Sequence, residues 1–278
     1  MNTLVTSTTG VVGGIILVLL LGAAAGTAFS RSMTSSKVLS DNIMEPLNGA
    51  TSAKVDIDTA EGNLTIDQFN GEEHTLASGT LQYLEGQSKP TSTLNMNNGQ
   101  TTLILKNGIS GRPWFRLPWD VCNGATDWLI HLNSTIPSDI TAHSGGGNVK
   151  LDLAGMAVNQ VSADTGGGNV NVVLPDNAAN LNVNAISGAG NVTVEFGSNT
   201  TGSSTVIAKS GAGNVTVIVP SGTAARIHVS SGLGKAIVDP RFSMIDSKTY
   251  QSPDYENAAN KLEITLNSGA GNVTVSTK

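Results

Sequence analysis

The side chains best suited to acid–base work or to holding a metal are four histidines, His74, His131, His143 and His228, and one thiol, Cys122. Zinc sites draw ligands from close pairs such as C-x-x-C or H-x-x-x-H. No such pair occurs: only His131 and His143 lie even moderately close, and one cysteine cannot build a multi-cysteine site or an intrachain disulfide. His143-Ser144-Gly145-Gly146-Gly147 has the small residues of an oxyanion-binding turn. It lacks the G-x-S-x-G elbow and the alternating strand–helix pattern that would hold a nucleophile there, so it reads as a chain corner. Calcium-binding glycine rolls carry an Asp after the glycines at a short fixed spacing, which is missing here, and no G-x-x-x-x-G-K-[ST] phosphate loop occurs. Paired carboxylates of the kind that cleave sugars recur in no one place. The sequence therefore predicts no catalytic residue, no cofactor and no metal, and the protein is read as a non-enzyme.

One segment departs from the rest in composition. Gly111 to Trp128 reads GRPWFRLPWDVCNGATDW and holds all three tryptophans with two arginines and two prolines. Trp and Arg supply large contact area and planar hydrogen bonding, which makes Trp114, Arg116 and Trp119 candidates for contact with a partner or glycan. The competing reading, which we prefer, makes these side chains a plug over one end of a β stack.

The elements that would carry such a surface are set by a repeat. Six copies stand out: SGGGNVKLDL from Ser144, TGGGNVNVVL from Thr165, SGAGNVTVEF from Ser187, SGAGNVTVIV from Ser210, SGLGKAIVDP from Ser231 and SGAGNVTVST from Ser268. Steps of 21, 22, 23, 21 and 37 residues describe a regular unit with one insertion, which fits the polar stretch between Asp239 and Asn260. TAEGNLTID from Thr59 reads as a degenerate earlier copy. Most copies place two glycines at a turn, then Asn, then apolar residues on alternate positions such as Val192, Val194 and Phe196. Period two means strand. The turn residues are Gly147 and Asn148, Gly168 and Asn169, Gly190 and Asn191, Gly213 and Asn214, and Gly271 and Asn272. Glycine gives such a corner room for close backbone approach, and Asn is the next most tolerant residue.

Two architectures satisfy this pattern. In a hairpin meander the Gly-Asn pair is a tight turn between antiparallel strands. In a solenoid each unit is one coil stacked on its predecessor, and the corner asparagines align into a ladder. We prefer the solenoid, in which Lys235, standing where the other copies have Asn, interrupts the ladder. Further strands are expected from Ala53, from Thr75 and in a hairpin through Asn97-Asn98-Gly99. The expected organisation is a tail and hydrophobic segment over 1–29, a flexible linker over 30–50 and a β domain over 51–278. That domain divides into irregular strands (51–110), the aromatic loop (111–128) and Gly-Asn-Val repeats (129–278). The fold class is all-β, a β-solenoid-like stack preceded by one N-terminal hydrophobic helix.

Composition agrees, with 32 Gly, only 13% charged residues and 4% aromatics. A net charge of −6 offers no basic stripe for a phosphate backbone, which argues against nucleic acid. From Val11 to Phe29 no charge interrupts VVGGIILVLLLGAAAGTAF, enough helix to reach about 28 Å and cross a bilayer. A cleaved signal ending at Ala28 competes with an uncleaved anchor; the anchor is preferred because MNTLVTSTTG lacks the usual Lys or Arg. Arg31 and Lys37 follow the span and would keep the domain inside by the positive-inside rule, yet the reading leans to an extracytoplasmic domain.

From about Ala53 to the end the chain resembles the bacterial putative-adhesin and toast-rack domains, which also occur on cell-envelope stress-response membrane proteins. The S-G-x-G-N-V units and the phrase IHLNSTIPSDITAHSGGGNVKLDL from Ile130 carry the resemblance. It implies a stacked β protein of the envelope with no established enzymatic site. Envelope-stress relatives usually carry several spans and this chain shows one, which counts against a signalling role. The leading expectation is a membrane-anchored envelope protein, held through residues 11–29, whose rigid stack meets an unknown protein or cell-surface partner. The alternatives are a regulatory partner of a membrane signalling system and a self-associating filament subunit.

Overall fold

Apolar and polar side chains alternate along most of the chain, and such segments extend as strands that face a shared interior on one side and water on the other. The computed structural model describes residues 37–69, 74–108 and 126–278, and these fall in one unit. Among the described residues no helix is long and apolar enough to cross a membrane. The hydrophobic segment over 11–29 and the aromatic candidates Trp114, Arg116 and Trp119 lie outside the described residues.

In chain order the strands are β1 (Val38–Pro46), β2 (Ser52–Thr59), β3 (Asn63–Phe69), β4 (Thr75–Leu84), β5 (Ser88–Asn97), β6 (Gln100–Gly108), β7 (Asp127–Asn133) and β8 (Ser138–Ser144). There follow β9 (Val149–Asp152), β10 (Val158–Thr165), β11 (Val170–Val173), β12 (Asn177–Ala179), β13 (Asn182–Ser187), β14 (Val192–Glu195), β15 (Asn199–Thr201) and β16 (Ser203–Ala212). The chain ends with β17 (Val215–Val219), β18 (Ala224–Leu233), β19 (Ala236–Val238), β20 (Ser243–Asp246), β21 (Thr249–Gln251), β22 (Lys261–Ala270) and β23 (Val273–Thr277). A ten-stranded sheet runs β1-β4-β7-β3-β9-β11-β14-β17-β23-β19, and an eleven-stranded sheet runs β20-β21-β18-β22-β16-β13-β10-β8-β2-β6-β5. Strands β12 and β15 pair as a small third sheet at one corner.

Each repeat is one coil: a strand of the longer sheet, a glycine corner, then a strand of the shorter one. Successive coils pair in parallel, residue for residue, as Val149, Val170, Val192 and Val215 do. Parallel pairing excludes the hairpin meander and makes the domain a solenoid. Inward rows are almost fully buried; Leu151, Val172, Val194, Val217 and Val275 stack on one side. Each such side chain contributes about 1.5–3 kcal/mol. The smaller row Ala142, Ala163, Ala185 and Ala208 stacks in the other sheet.

Stack order is not chain order. The last coil, β22–β23, lies between β16–β17 and β18–β19. At the other end β2–β3 lies between the β6/β7 rung and β8–β9. The insertion after Asp239 is therefore more than a surface loop: it forms the β20–β21 hairpin and then returns the chain to the inside of the stack. Lys235 accordingly ends the asparagine ladder instead of interrupting it.

The linker expected over 30–50 is shorter than that reading, because Val38–Pro46 is the edge strand β1, antiparallel to β4. Its residues alternate between exposed and half-buried, so its apolar signal is only Leu39 and Ile43 on the inward side. The antiparallel β5–β6 hairpin turns through Asn98 (φ 49°) and Gly99 (φ 80°).

Candidate interaction surface

The corners explain the repeat spelling atom by atom. A Cβ on Gly190 would sit 2.1 Å from the Gly168 carbonyl oxygen, and one on Gly188 would sit 2.3 Å from that of Gly166. Coils at these two positions touch through backbone alone. The position between them is open, with nothing within 4 Å of a Cβ on Gly146, which is why it is Ala189, Ala212, Ala270 and Leu233 in other copies.

Two polar ladders run through the corners. The hydroxyls of the buried Ser144, Thr165, Ser187, Ser210 and Ser268 and of the half-buried Ser231 donate to the carbonyls of Gly62, Gly147, Gly168, Gly190, Gly213 and Gly271 at 2.7–2.9 Å. The second ladder is the asparagine row. Asp127 Oδ1 accepts from Asn63 Nδ2 at 2.8 Å, and Asn63 Oδ1 accepts the Asn148 N–H at 2.9 Å. Asn148 Oδ1 accepts from Asn169 N–H, Asn169 Oδ1 from Asn191 N–H, and Asn191 Oδ1 from Asn214 N–H, each at 2.9 Å. Asn214 Oδ1 then accepts from Asn272 N–H at 2.8 Å, and Asn272 Oδ1 from Lys235 N–H at 2.9 Å. These residues satisfy corner amides that a strand ladder cannot reach. Their chemistry is structural.

The histidines are scattered among neighbours. His131 Nδ1 meets Asp67, His143 Nδ1 meets Asp164, and His228 Nδ1 lies 3.0 Å from the Thr249 hydroxyl. Among the described residues no group of three or more His, Cys, Asp or Glu could hold a metal. A cleft of about 410 Å³ is lined by groups such as Ser198, Thr201, Ser221, Thr223 and Asn260, with Asp254 its one acid. Of the aromatic segment the structure describes Thr126 to Trp128; Trp128 is buried and donates from Nε1 to the Gln82 carbonyl at 3.0 Å.

The stack ends on a step. The shorter sheet stops at β19, whereas the longer one continues past β18 by two strands, β21 and β20. Exposed large apolar side chains gather there: Leu233 (78% exposed), Ile237 (51%), Met244 (60%) and Ile245 (56%). At the rungs in register with Ile237 the outward residue is Thr274, Thr216, Thr193, Asn171 or Lys150. Ala236, in the row that is buried at Val273 and Val215, is itself exposed. Terminal repeats of solenoids ordinarily end on a polar face. The hairpin is tied to β18 by strand pairing and by Arg226 Nε, which donates to Gln251 at 2.9 Å, and the turn after it is anchored too. Tyr255 is buried, with the Arg226 guanidinium 4.4 Å from its ring centroid and its hydroxyl donating to Glu263. Burial, then the Glu263 hydrogen bond, pushes the Tyr255 hydroxyl up to about 12. Sequence reasoning did not single out this step, although the copy from Ser231 spells its divergence: Leu, Lys, Ala and Ile where its neighbour from Ser268 has Ala, Asn, Val and Thr.

Two largely parallel sheets closed by glycine corners and an asparagine ladder define a β-solenoid. The chain matches the model of the N-terminal domain of toast_rack over residues 32–195, more than half its length, and belongs to that toast-rack family. Residues 177–275 match a second model, the C-terminal domain of LiaF, described as a cell wall-active antibiotics response protein. Among solved structures it is similar to one named a "putative cell adhesion protein" from Clostridium sporogenes, 22% identical, covering 87% of this chain and 100% of that one, with a TM-score of 0.60. A "putative adhesin" from Bacteroides fragilis is 10% identical over 86% of this chain and 97% of its own, with a TM-score of 0.35. No curated protein matches the chain in sequence.

Proposed function

We propose that this is a non-enzymatic cell-envelope protein, anchored through residues 11–29, whose stiff β stack holds a contact surface out from the membrane for adhesion or protein contact. The observation that carries the reading is the unbroken asparagine ladder from Asp127 to Lys235, which ties eight rungs into one rod. At about 4.8 Å per rung the rod is roughly 35 Å tall. Support for the envelope comes from the match over 177–275 to a model named for the response to cell wall-active antibiotics. The chain enters at β1, the edge of the shorter sheet opposite the apolar step.

The LiaF-like match over 177–275 favours one second reading, a regulatory partner of a membrane signalling system. Protease added to intact and to broken cells separates the two. Digestion of the domain in intact cells supports outward contact; digestion only after breakage overturns it in favour of the inward regulator. The intact mass of the purified protein reports whether the segment before Phe29 is retained.

A further inference from the structure

We infer that the step at the end of the stack is a self-association surface, on which a second copy, turned end over end, pairs its β20 with β19 and its β19 with β20. The step measures two strands, β21 and β20, present in the longer sheet and unmatched in the shorter. A two-fold axis lying between the sheets, along the strands, exchanges the long sheet of one copy with the short sheet of the other. The overhang of each copy then fills the recess of its partner, and both sheets run on through the dimer. Such an interface is isologous and closed, so it stops at two subunits.

Strand polarity and backbone groups fit. Strand β20 is antiparallel to β21, and β21 to β18, so β20 runs in the sense of β18, whereas β19 returns from the corner the opposite way. The axis leaves directions along the strands unchanged, and β19 therefore meets the second copy's β20 antiparallel. The Lys235 carbonyl and the Asp239 N–H bond to β23. By the alternation of a ladder, Ala236 and Val238 point their amides and carbonyls to the open edge.

Side chains fit as well. Met244, which pairs with Tyr250 in register with the buried Ile227 and so faces inward, comes to lie beside Ala236 of the other copy, which is inward yet exposed at the open end. Antiparallel pairing sets the start of β19 against the end of β20, which places Lys235 beside Asp246 of the second copy. It sets the end of β19 against the start of β20, which places Asp239 beside Arg241 of the second copy. Each opposite-charge contact occurs twice. A short edge flanked by Lys235 and Pro240 is also how proteins keep edges unpaired. What distinguishes this edge is the apolar pair Leu233 and Ile237, where inner rungs carry small or polar residues. Two short pairings bury little area, so the dimer is weak in dilute solution, and tethering on one membrane would raise its effective concentration. The inference does not depend on which membrane face carries the domain.

The test uses the full chain in detergent with Cys122→Ser. Differently tagged chains carrying Ala236→Cys and Met244→Cys, which share the inward face, are mixed and oxidised mildly. The expected result is a mixed cross-link formed several-fold faster than between Thr193→Cys and Met244→Cys chains, and slowed several-fold by adding Lys235→Glu. A mixed cross-link no faster than that control overturns the proposal. So does a dominant Ala236→Cys cross-link to itself, or one to Met44→Cys on β1, which would mean a different pairing or a head-to-tail chain. Sedimentation of the unaltered chain gives a second readout that needs no cysteine. A dimer at high concentration that Ile245→Lys converts to monomer agrees with the proposal, and a monomer at every concentration overturns it.

Discussion

Asn214 and Asn272 are 58 residues apart in the chain, yet the side-chain oxygen of the first takes the backbone N–H of the second at 2.8 Å. That bond locates the final coil directly above the coil of β17, and several consequences of this arrangement are measurable.

Gly190→Ala should destabilise the domain by about 1–3 kcal/mol, since its Cβ would strike the Gly168 carbonyl and both partners are backbone. Gly146→Ala, in the open position of an equivalent corner, should stay within about 0.5 kcal/mol of the parent. Urea unfolding with unchanged m-values checks both; equal losses would refute backbone contact as the reason for the two glycines.

Ser187→Ala removes a buried donor and leaves the Gly168 carbonyl without its 2.7 Å partner. A loss of about 1–3 kcal/mol is expected. Asn191→Ala strips an acceptor from an exposed corner, where water can replace it, and should fall at the low end, about 0.5–1.5 kcal/mol. Asn191→Asp keeps an oxygen for the Asn214 N–H and should lose less than Asn191→Ala.

Tyr255 gives the domain an alkaline limit. Its hydroxyl is pushed up to about 12 by burial and by Glu263, above the ordinary tyrosine value near 10. The folded state therefore holds this proton more tightly than the unfolded chain does. The associated stability is complete below about pH 10 and is lost as pH rises towards 12. Melting temperature against pH should fall across this window, and Tyr255→Phe should flatten the fall.

Deleting residues 261–278 should do more than shorten the stack. Both strands of the inserted coil would go, leaving β19 without its partner strand and β18 with β21 alone. Limited proteolysis should then cut throughout 224–260, while the coils from β8 to β14 keep their resistance. Cleavage confined to the new terminus would contradict the inserted order.

Much of the fold could be read in advance because one short phrase does three jobs. In S-G-x-G-N-V the Ser caps a buried carbonyl, the glycines admit the next backbone, and Asn closes the corner, so composition and spacing both reported the coil. The exchange of the last two coils was harder to see. Copies are close enough in sequence that any could stack on any other. A trace existed all the same: the units from Ser187, Ser210 and Ser268 share SGAGNVTV and are spatial neighbours, while SGLGKAIV, the divergent unit, stands at the end. Strand β1 escaped notice because an edge strand needs only a few half-buried side chains such as Leu39 and Ile43. The apolar step followed from the same exchange, since Leu233 and Ile237 acquire meaning only once their coil is known to be the last.

Because the coil of β22 and β23 slots between two that precede it in the chain, the tip of the rod cannot close in the order in which it is made. The coil of β18 and β19 must wait, unseated, until the later coil has emerged to lie beneath it, so maturation of the exposed tip is timed by residues downstream and not by the passage of its own.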